Sequence, residues 1–271
     1  MWWGKKSRKK TKSDEEPPAD AVAEASPEPP VAYTREGLCP ICRKPATFVA
    51  ADDWYRDSLV CKGCEVGSLP RERALMQVLN LHYPGWPSLS IHESAPAARG
   101  ASTVLARECK GYIASHFFPD VTPGASKYGF RCENLEQQTF ADAAFDLVIS
   151  QDVMEHINRP DLAFREVSRT LKPGGAYVFT APTFKGLLNS FRRAILHPDG
   201  IEHLHPPEYH GNPVDPEGVL VTFHYGYDLP ELIHRWAGLN TMVCRFHDHH
   251  IGVIGEFTEV YVCTKEPDVA S

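Results

Sequence analysis

The chain has 271 residues, 42% of them hydrophobic, and a formal net charge of −7. That length suits one α/β domain with a small extra module, and the apolar share is ordinary for a water-soluble globule. The acidic balance argues against broad attraction to nucleic acid, no apolar run approaches the ~20 residues of a membrane-spanning helix, and the positive amino terminus lacks the apolar stretch of a secretory signal.

Lys5, Lys6, Arg8, Lys9, Lys10 and Lys12 form a basic block, followed by six acids and five prolines over residues 14–30. With almost nothing to bury, residues 1–33 are expected to be a disordered tail. Trp2 and Trp3 beside the lysines would suit contact with an anionic surface.

Four of the eight cysteines stand in two tight pairs, Cys39-x2-Cys42 and Cys61-x2-Cys64, with 18 residues between them. Four thiolates close a tetrahedral shell around Zn2+, and the spacing lies in the window of four-cysteine zinc sites. No coordination position stays open, so the ion is expected to be structural. Cysteines used for a metal rather than for disulfides point to a reducing, cytoplasmic setting. Residues 34–68 are thus expected to form a zinc-ribbon-like module, with Asp52, Asp53, Trp54 and Tyr55 offering a surface between the knuckles.

Residues 69–87 read as a linking helix. Ser68 can cap it, Pro70 can open it, Leu75, Val78 and Leu79 form its apolar stripe, and Pro84 ends it. Arg71 and Arg73 are either exposed or placed to bind a carboxylate of cofactor or substrate. Ser88–Glu93 reads as the first core strand and Ser94–Gly100 as the turn after it. Gly111–Phe117 is the second strand, and Arg131–Leu135 leads into the end of the third.

The stretch FDLVISQDVMEHINRPDLAFREVSRTLKPGGAYVFTAP, from Phe145 to Pro182, is the most legible. Leu147, Val148 and Ile149 suit a strand buried on both faces. Pro160 opens a helix, and Ala163 or Phe164, Val167 and Leu171 recur at helical spacing. Lys172-Pro173-Gly174-Gly175 stops the helix, and Ala176–Thr180 is the next strand. Such a unit implies a right-handed parallel crossover, with ligands gathered at the carboxyl ends of the strands. Ser150, Gln151, Asp152 and His156 then share one rim, with Ala181–Phe184 on the neighbouring one.

FDLVISQDVMEHI followed by LKPGGAYVFTAP resembles the fourth and fifth motifs of class I S-adenosylmethionine-dependent methyltransferases of the type 11-like kind. The resemblance covers residues 88–264 or so and implies an α/β, Rossmann-like, doubly wound, seven-stranded, mostly parallel sheet in a domain over 88–266. An antiparallel hairpin from Thr241–Phe246 and Phe257–Thr264 would close it. It implies S-adenosylmethionine as cofactor, held by Glu93, Ser94, Ala95, Ser115, His116, Asn134, Leu135, Gln151 and Asp152. Glu93 matches the family's acid at the end of the first strand, whereas Ala95 and Ala97 stand where glycines are usual and lose glycine's freedom at positive φ. His116 replaces the acid that accepts from both ribose hydroxyls. Asn134 falls where an aspartate often meets the adenine amino group, and Leu135 would cover an adenine face. Gln151 would lie near the amino-acid end.

Residues 183–226 form a long connection after the fifth strand and are expected to set substrate specificity. HLHPPEYHGNP brings His203, His205, Glu208, Tyr209 and His210 together in sequence, with His197 and His224 outside it. An imidazole titrating near neutrality suits removal of a hydroxyl proton, so His205 or His210 is expected as the base, with Glu208 orienting it. The acceptor expected is a small polar or sugar-type molecule or glycan, methylated on oxygen. Two other readings use the same residues: a methyltransferase-like binding or scaffold protein without catalysis, and an RNA methyltransferase. After the insert, Asp228-Leu229-Pro230-Glu231 reads as a cap before a helix that Gly238 ends.

Overall fold

The computed structural model describes residues 32–211 and 218–267. The expected disordered tail, with its basic block and tryptophans, lies outside the described residues up to position 31, and Tyr33 opens the first strand. Strands β1 (Tyr33–Leu38) and β2 (Pro45–Ala50) form an antiparallel hairpin. Helix α1 (Tyr55–Ser58) follows, and β3 (Val60–Cys61) extends the hairpin into a three-stranded sheet. Alternate residues of β2, Ala46, Phe48 and Ala50, face the core, as strand periodicity requires.

Helix α2 (Pro70–His82) begins at its proline, but Ser68 does not cap it. Leu69 is the N-cap residue, and its backbone N–H donates to Glu72 Oε2 at 2.8 Å. The Ser68 hydroxyl instead lies 3.9 Å from Cys39 Sγ and 3.4 Å from Cys64 Sγ. Arg73 is neither exposed nor a ligand for a carboxylate. It is fully buried over the Phe48 ring, 4.8 Å away, and donates to the carbonyls of Gly252, Leu59 and Ser68. A buried guanidinium tolerates this position because backbone oxygens surround it. Arg71 is also partnered, by Asp57 and Asp152.

The main sheet takes β4 (Ser90–Ser94), then α3 (Gly100–Glu108), β5 (Gly111–His116), β6 (Ser126–Lys127), β7 (Phe130–Cys132), β8 (Phe145–Gln151), α4 (Pro160–Thr170) and β9 (Leu171–Thr180). The insert contributes three short antiparallel pairs. Strand β10 (Phe191–Arg192) meets the later β15 (Phe223–His224), β11 (Ala194–His197) meets β12 (Gly200–His203), and β13 (Tyr209–His210) meets β14 (Val219–Leu220). Helix α5 (Leu229–Ala237), β16 (Asn240–Cys244) and β17 (Val260–Thr264) close the chain. Asp228 precedes α5 without capping it; its Oδ1 holds Ser190 of the insert through the backbone N–H and the hydroxyl, at 2.7 and 2.6 Å.

Strand order is β16-β17-β9-β8-β4-β5-β7-β6. The run β9-β8-β4-β5-β7 is parallel, and β17 and β16 are antiparallel, which gives the expected closing hairpin. The sheet has eight strands rather than seven because Tyr128 and Gly129, both at positive φ, fold the two-residue β6 back onto β7. Helix α4 buries Ala163, Phe164 and Val167, as its spacing predicts. It runs straight into β9 at Leu171, and the Lys172–Gly175 segment is taken up as a register shift between β8 and β9. Gly175 is needed there, since a Cβ would stand 2.9 Å from Asp146 O. Two apolar clusters flank the sheet: one joins the cysteine module, α2 and α3, and the other joins α4 and α5.

Candidate active site

The strand order reverses at β4, whose neighbours β5 and β8 depart in opposite directions, and an open parallel sheet offers its ligand crevice at that switch point. Glu93 near the end of β4 and Gln151 at the end of β8 meet there. The buried Glu93 carboxylate accepts from Ser102 Oγ at 2.6 Å, Tyr112 OH at 2.7 Å and Gln151 Nε2 at 3.4 Å. Burial pushes its pKa up, and the three donors oppose that. Ser102 and Tyr112 were not legible as partners of Glu93, because only the parallel packing of β5 and the start of α3 brings them to it. Gln151 Oε1 is buried and accepts no hydrogen bond from any described residue.

Ala95 sits at φ +54, the left-handed region that a glycine would take at little cost, and its N–H donates to Ser115 O at 2.7 Å. The glycine-like backbone is therefore kept although the glycine is not. Ala97 N–H donates to Ser102 Oγ, and Gly100 opens α3 at φ +60 where a side chain would collide with the Glu72 carboxylate. Ser94 is buried behind this loop.

The other expected cofactor residues are placed as follows. Ser115 is fully buried, with its hydroxyl 2.8 Å from His92 Nε2. His116 stands half-buried at the end of β5, edge-on to Phe130 at 4.5 Å, and burial lowers its pKa against a bond to the Pro96 backbone. Asn134 Oδ1 accepts the Glu136 N–H at 2.9 Å in a local turn. Leu135 is buried in the cluster with Phe145 and Val148. Asp152, at φ +52, receives Arg56 Nη2 at 2.6 Å, Arg71 Nε at 2.7 Å and Thr180 Oγ1 at 3.0 Å.

A second group gathers on the same rim. Glu208 accepts from His224 Nε2 at 2.9 Å and from His210 Nε2 at 3.3 Å, with Arg193 Nη2 at 3.3 Å. Burial pushes the Glu208 pKa up, but the charges of His224 and Arg193 overcome that and hold it below the usual carboxylate range. The Glu155 carboxylate raises the His210 pKa, against burial, and Glu208 adds to the rise. His205 lies apart from this carboxylate, tilted against Phe191 at 4.8 Å. Of the two histidines expected as base, His210 is thus the one that touches Glu208. His224 stacks on Phe184 at 4.2 Å and lines a hollow of about 430 Å³ with Phe184, Phe191 and Phe257. Another hollow, of about 440 Å³, lies between His82 at the end of α2 and Asn240 of β16, away from both acid–base groups.

Cys39, Cys42, Cys61 and Cys64 converge with all four sulfurs within 4.8 Å of one another, and none of the described cysteines is in a disulfide. Cys39 Sγ and Cys64 Sγ are 3.7 Å apart. A tetrahedral shell with ~2.3 Å zinc–sulfur bonds has edges of about 3.8 Å, so the four thiols fit Zn2+. The Cys61 and Cys64 thiols pull the Cys39 pKa down, and the bond to Cys39 pushes Cys64 well up.

Residues 102–179 match the family described as a methyltransferase domain. A curated relative, the dimethylglycine N-methyltransferase of Parasynechococcus marenigrum (strain WH8102), is 51% identical over 49 residues, 18% of each chain. The chain thus spans under a fifth of that relative's length. Among solved structures, an S-adenosylmethionine-dependent methyltransferase from Mesorhizobium loti shares 14% identity, with 71% of this chain and 98% of that one covered, at a TM-score of 0.48. A methyltransferase in complex with the Haloferax volcanii Trm112 methyltransferase activator shares 12%, covering 74% and 92%, at the same TM-score of 0.48. Among the described residues, no helix is long and apolar enough to cross a membrane.

Proposed function

We propose that the chain is a class I S-adenosylmethionine-dependent methyltransferase, a reading that the methyltransferase-domain match over residues 102–179 supports, and that it transfers the methyl group to an oxygen of a small polar or sugar-type acceptor. The observation that carries the cofactor part is Gln151. Its Nε2 is engaged with Glu93, while its buried Oε1 is left for a donor from outside the chain, and the ammonium of the cofactor's amino-acid end is such a donor. Glu93 supplies negative potential beneath it, Ala95 and Ala97 let the backbone approach closely, and His116 meets the ribose. When bound, S-adenosylmethionine supplies a methyl group made electrophilic by its sulfonium sulfur.

The residues of the insert do the rest. The hollow walled by Phe184, Phe191 and Phe257 gives an acceptor an apolar seat with one polar side, a mixture common in small-molecule sites. Glu208 orients the imidazoles of His210 and His224, and a hydroxyl on the acceptor loses its proton to this group. Holding acceptor and methyl donor in line supplies ~7–11 kcal/mol of such a barrier. The four-cysteine cluster holds a structural Zn2+ that fixes the amino-terminal module.

Calorimetric titration with S-adenosylmethionine tests the cofactor site. Saturable binding to the wild type, weakened about tenfold in Gln151→Leu through loss of one or two buried hydrogen bonds, is expected. No binding by the folded wild type at millimolar cofactor overturns the reading. For the acceptor, the purified chain is incubated with methyl-labelled cofactor and the small-molecule fraction of a cell extract. Label is expected as a methyl ether on a hydroxylated compound; label only on amines overturns oxygen as the acceptor atom.

A further inference from the structure

Among the described residues, Glu155 is a buried carboxylate with both oxygens unpartnered. It sits in the single turn after β8, 1% exposed, and neither carboxylate oxygen accepts a hydrogen bond from any described residue. Leaving an ionised carboxylate so placed costs several kcal/mol or more. Two imidazole nitrogens face it: His156 Nε2 and His210 Nδ1, each 3.8 Å from Glu155 Oε1 and beyond hydrogen-bond reach. The two rings stand nearly perpendicular, with centroids 5.2 Å apart.

Each histidine is anchored through its other nitrogen. His156 Nδ1 lies 3.0 Å from Leu220 O, to which it can only donate, and His210 Nε2 lies 3.3 Å from Glu208 Oε1. Those bonds leave His156 Nε2 and His210 Nδ1 with their lone pairs turned to the carboxylate. A carbonyl or carboxylate behind each imidazole is the usual support of a metal-binding histidine. Thr222 locks the turn in place, donating its N–H to Glu155 O at 2.8 Å and its hydroxyl to Ile157 O at 2.6 Å, with Glu155 O also 3.0 Å from that hydroxyl. The insert strands that carry His210 and Leu220 are therefore tied to the turn that carries Glu155 and His156.

We propose that Glu155, His156 and His210 bind a divalent transition-metal ion, Zn2+ in the first instance. The three donor groups lie within 4.8 Å of one another. Bonds of ~2.1 Å to a tetrahedral ion need donors about 3.4 Å apart, a small contraction from the 3.8 Å separations here. Two imidazoles and a carboxylate leave a coordination position for an exchangeable ligand, unlike the closed cysteine shell. Resting on the function proposed above, that position takes an oxygen of the acceptor, a hydroxyl or a carboxylate. A hydroxyl bound there gives its proton to solvent at a lower pH; its oxygen then bonds to the methyl carbon as the carbon–sulfur bond of the sulfonium breaks, the sulfur leaving with that electron pair as the neutral thioether S-adenosylhomocysteine. His210 is then a ligand, and the ion replaces it as the agent that activates the acceptor.

The test uses the full chain, purified and assayed for zinc without cofactor or acceptor. The wild type is expected to hold one more zinc equivalent per chain than Glu155→Gln or His210→Ala, while His197→Ala matches the wild type. Glu208→Gln keeps the site but weakens it about 10–100-fold. The zinc retained by the cysteines, and circular dichroism, report that each variant is folded; should Glu155→Gln fail to fold, the half-exposed His210 gives the same comparison. In Co2+-substituted protein the wild type adds weak d–d bands without thiolate charge transfer, and these vanish in both variants. Equal zinc content and equal spectra across wild type, Glu155→Gln and His210→Ala overturn the proposal. Since neither readout involves methyl transfer, failure of the enzyme assay and failure of the metal assay are separate results.

Discussion

Arg56 Nη2 lies 2.6 Å from Asp152 Oδ2, joining the helix between β2 and β3 to the rim of the main sheet across 96 positions of sequence. Both side chains are shielded, 9% and 16% exposed, and Arg71 Nε reaches the same oxygen at 2.7 Å. Arg56 also donates to Phe257 O at 2.6 Å, so the contact spans the cysteine module, β8 and the loop before β17. Asp152 is committed to this junction.

Removing one partner of a shielded pair leaves a charge without compensation, which costs ~3–5 kcal/mol. Asp152→Ala, which leaves Arg56 without a carboxylate and Arg71 with only the exposed Asp57, is expected to lower stability by about the lower end of that range in urea denaturation. Arg56→Met, which keeps much of the packing over Phe257, should cost less. Equal, near-zero losses in both would mean that the junction is not held by this carboxylate.

The cysteine shell and this junction should fail together. Cys39 and Cys61 belong to the same apolar cluster as Ile91 and Leu147 of the main sheet, so loosening the module exposes that core. Cys61→Ser is expected to lose zinc binding at the cysteine shell, and a strong chelator should lower the melting temperature of the wild type by more than that of Cys61→Ser. A wild-type melting temperature indifferent to the chelator would separate the thiols from the fold.

Ala95 gives a prediction of opposite sign. A non-glycine residue in the left-handed region costs ~1–2 kcal/mol, and glycine's extra freedom in the unfolded chain returns ~0.4–1 kcal/mol of that. Ala95→Gly should therefore stabilise the protein by about 0.5–1 kcal/mol in chemical denaturation. Destabilisation of that size would mean that the Ala95 methyl group supplies packing that outweighs its strain.

These cases mark what the sequence made legible. The crossover from Phe145 to Pro182 was readable because both strands and the helix are set by local periodicity and punctuation. The cysteine pairs were readable because their ligand spacing is local too. Ala95 was misleading for a local reason: side-chain identity implied that the glycine conformation was lost, whereas the surrounding bonds impose it. Asp152, expected at the cofactor, and Glu155, not singled out in the sequence, both depend on non-local contacts. Both follow apolar β8, yet Arg56 pairs with the first, and only the folded insert brings His210 to the second. The expected Asp228 cap failed likewise, since Ser190 competes for the carboxylate from 38 residues away.

His92 supplies the acid limit of stability. Its ring is buried between Phe140 and Phe145, with centroids 4.7 and 5.3 Å away, and Nδ1 has no partner among the described residues. Burial, helped by the charge of Arg131, pushes its pKa down from 6.5 to about 3. Above pH 6.5 both folded and unfolded states hold the ring neutral, and its contribution to stability is complete. As the pH falls below that value the unfolded chain takes up a proton that the folded protein refuses. Stability then drops by about 1.4 kcal/mol per pH unit until the folded pKa is reached. His92→Gln keeps a polar group opposite Ser115, 2.8 Å away in the native pair, without the titration. Plotted against pH, the unfolding free energy of the variant should fall less steeply than that of the wild type by about that slope. Parallel curves, offset by a constant amount, would show that His92 is not what acid attacks first.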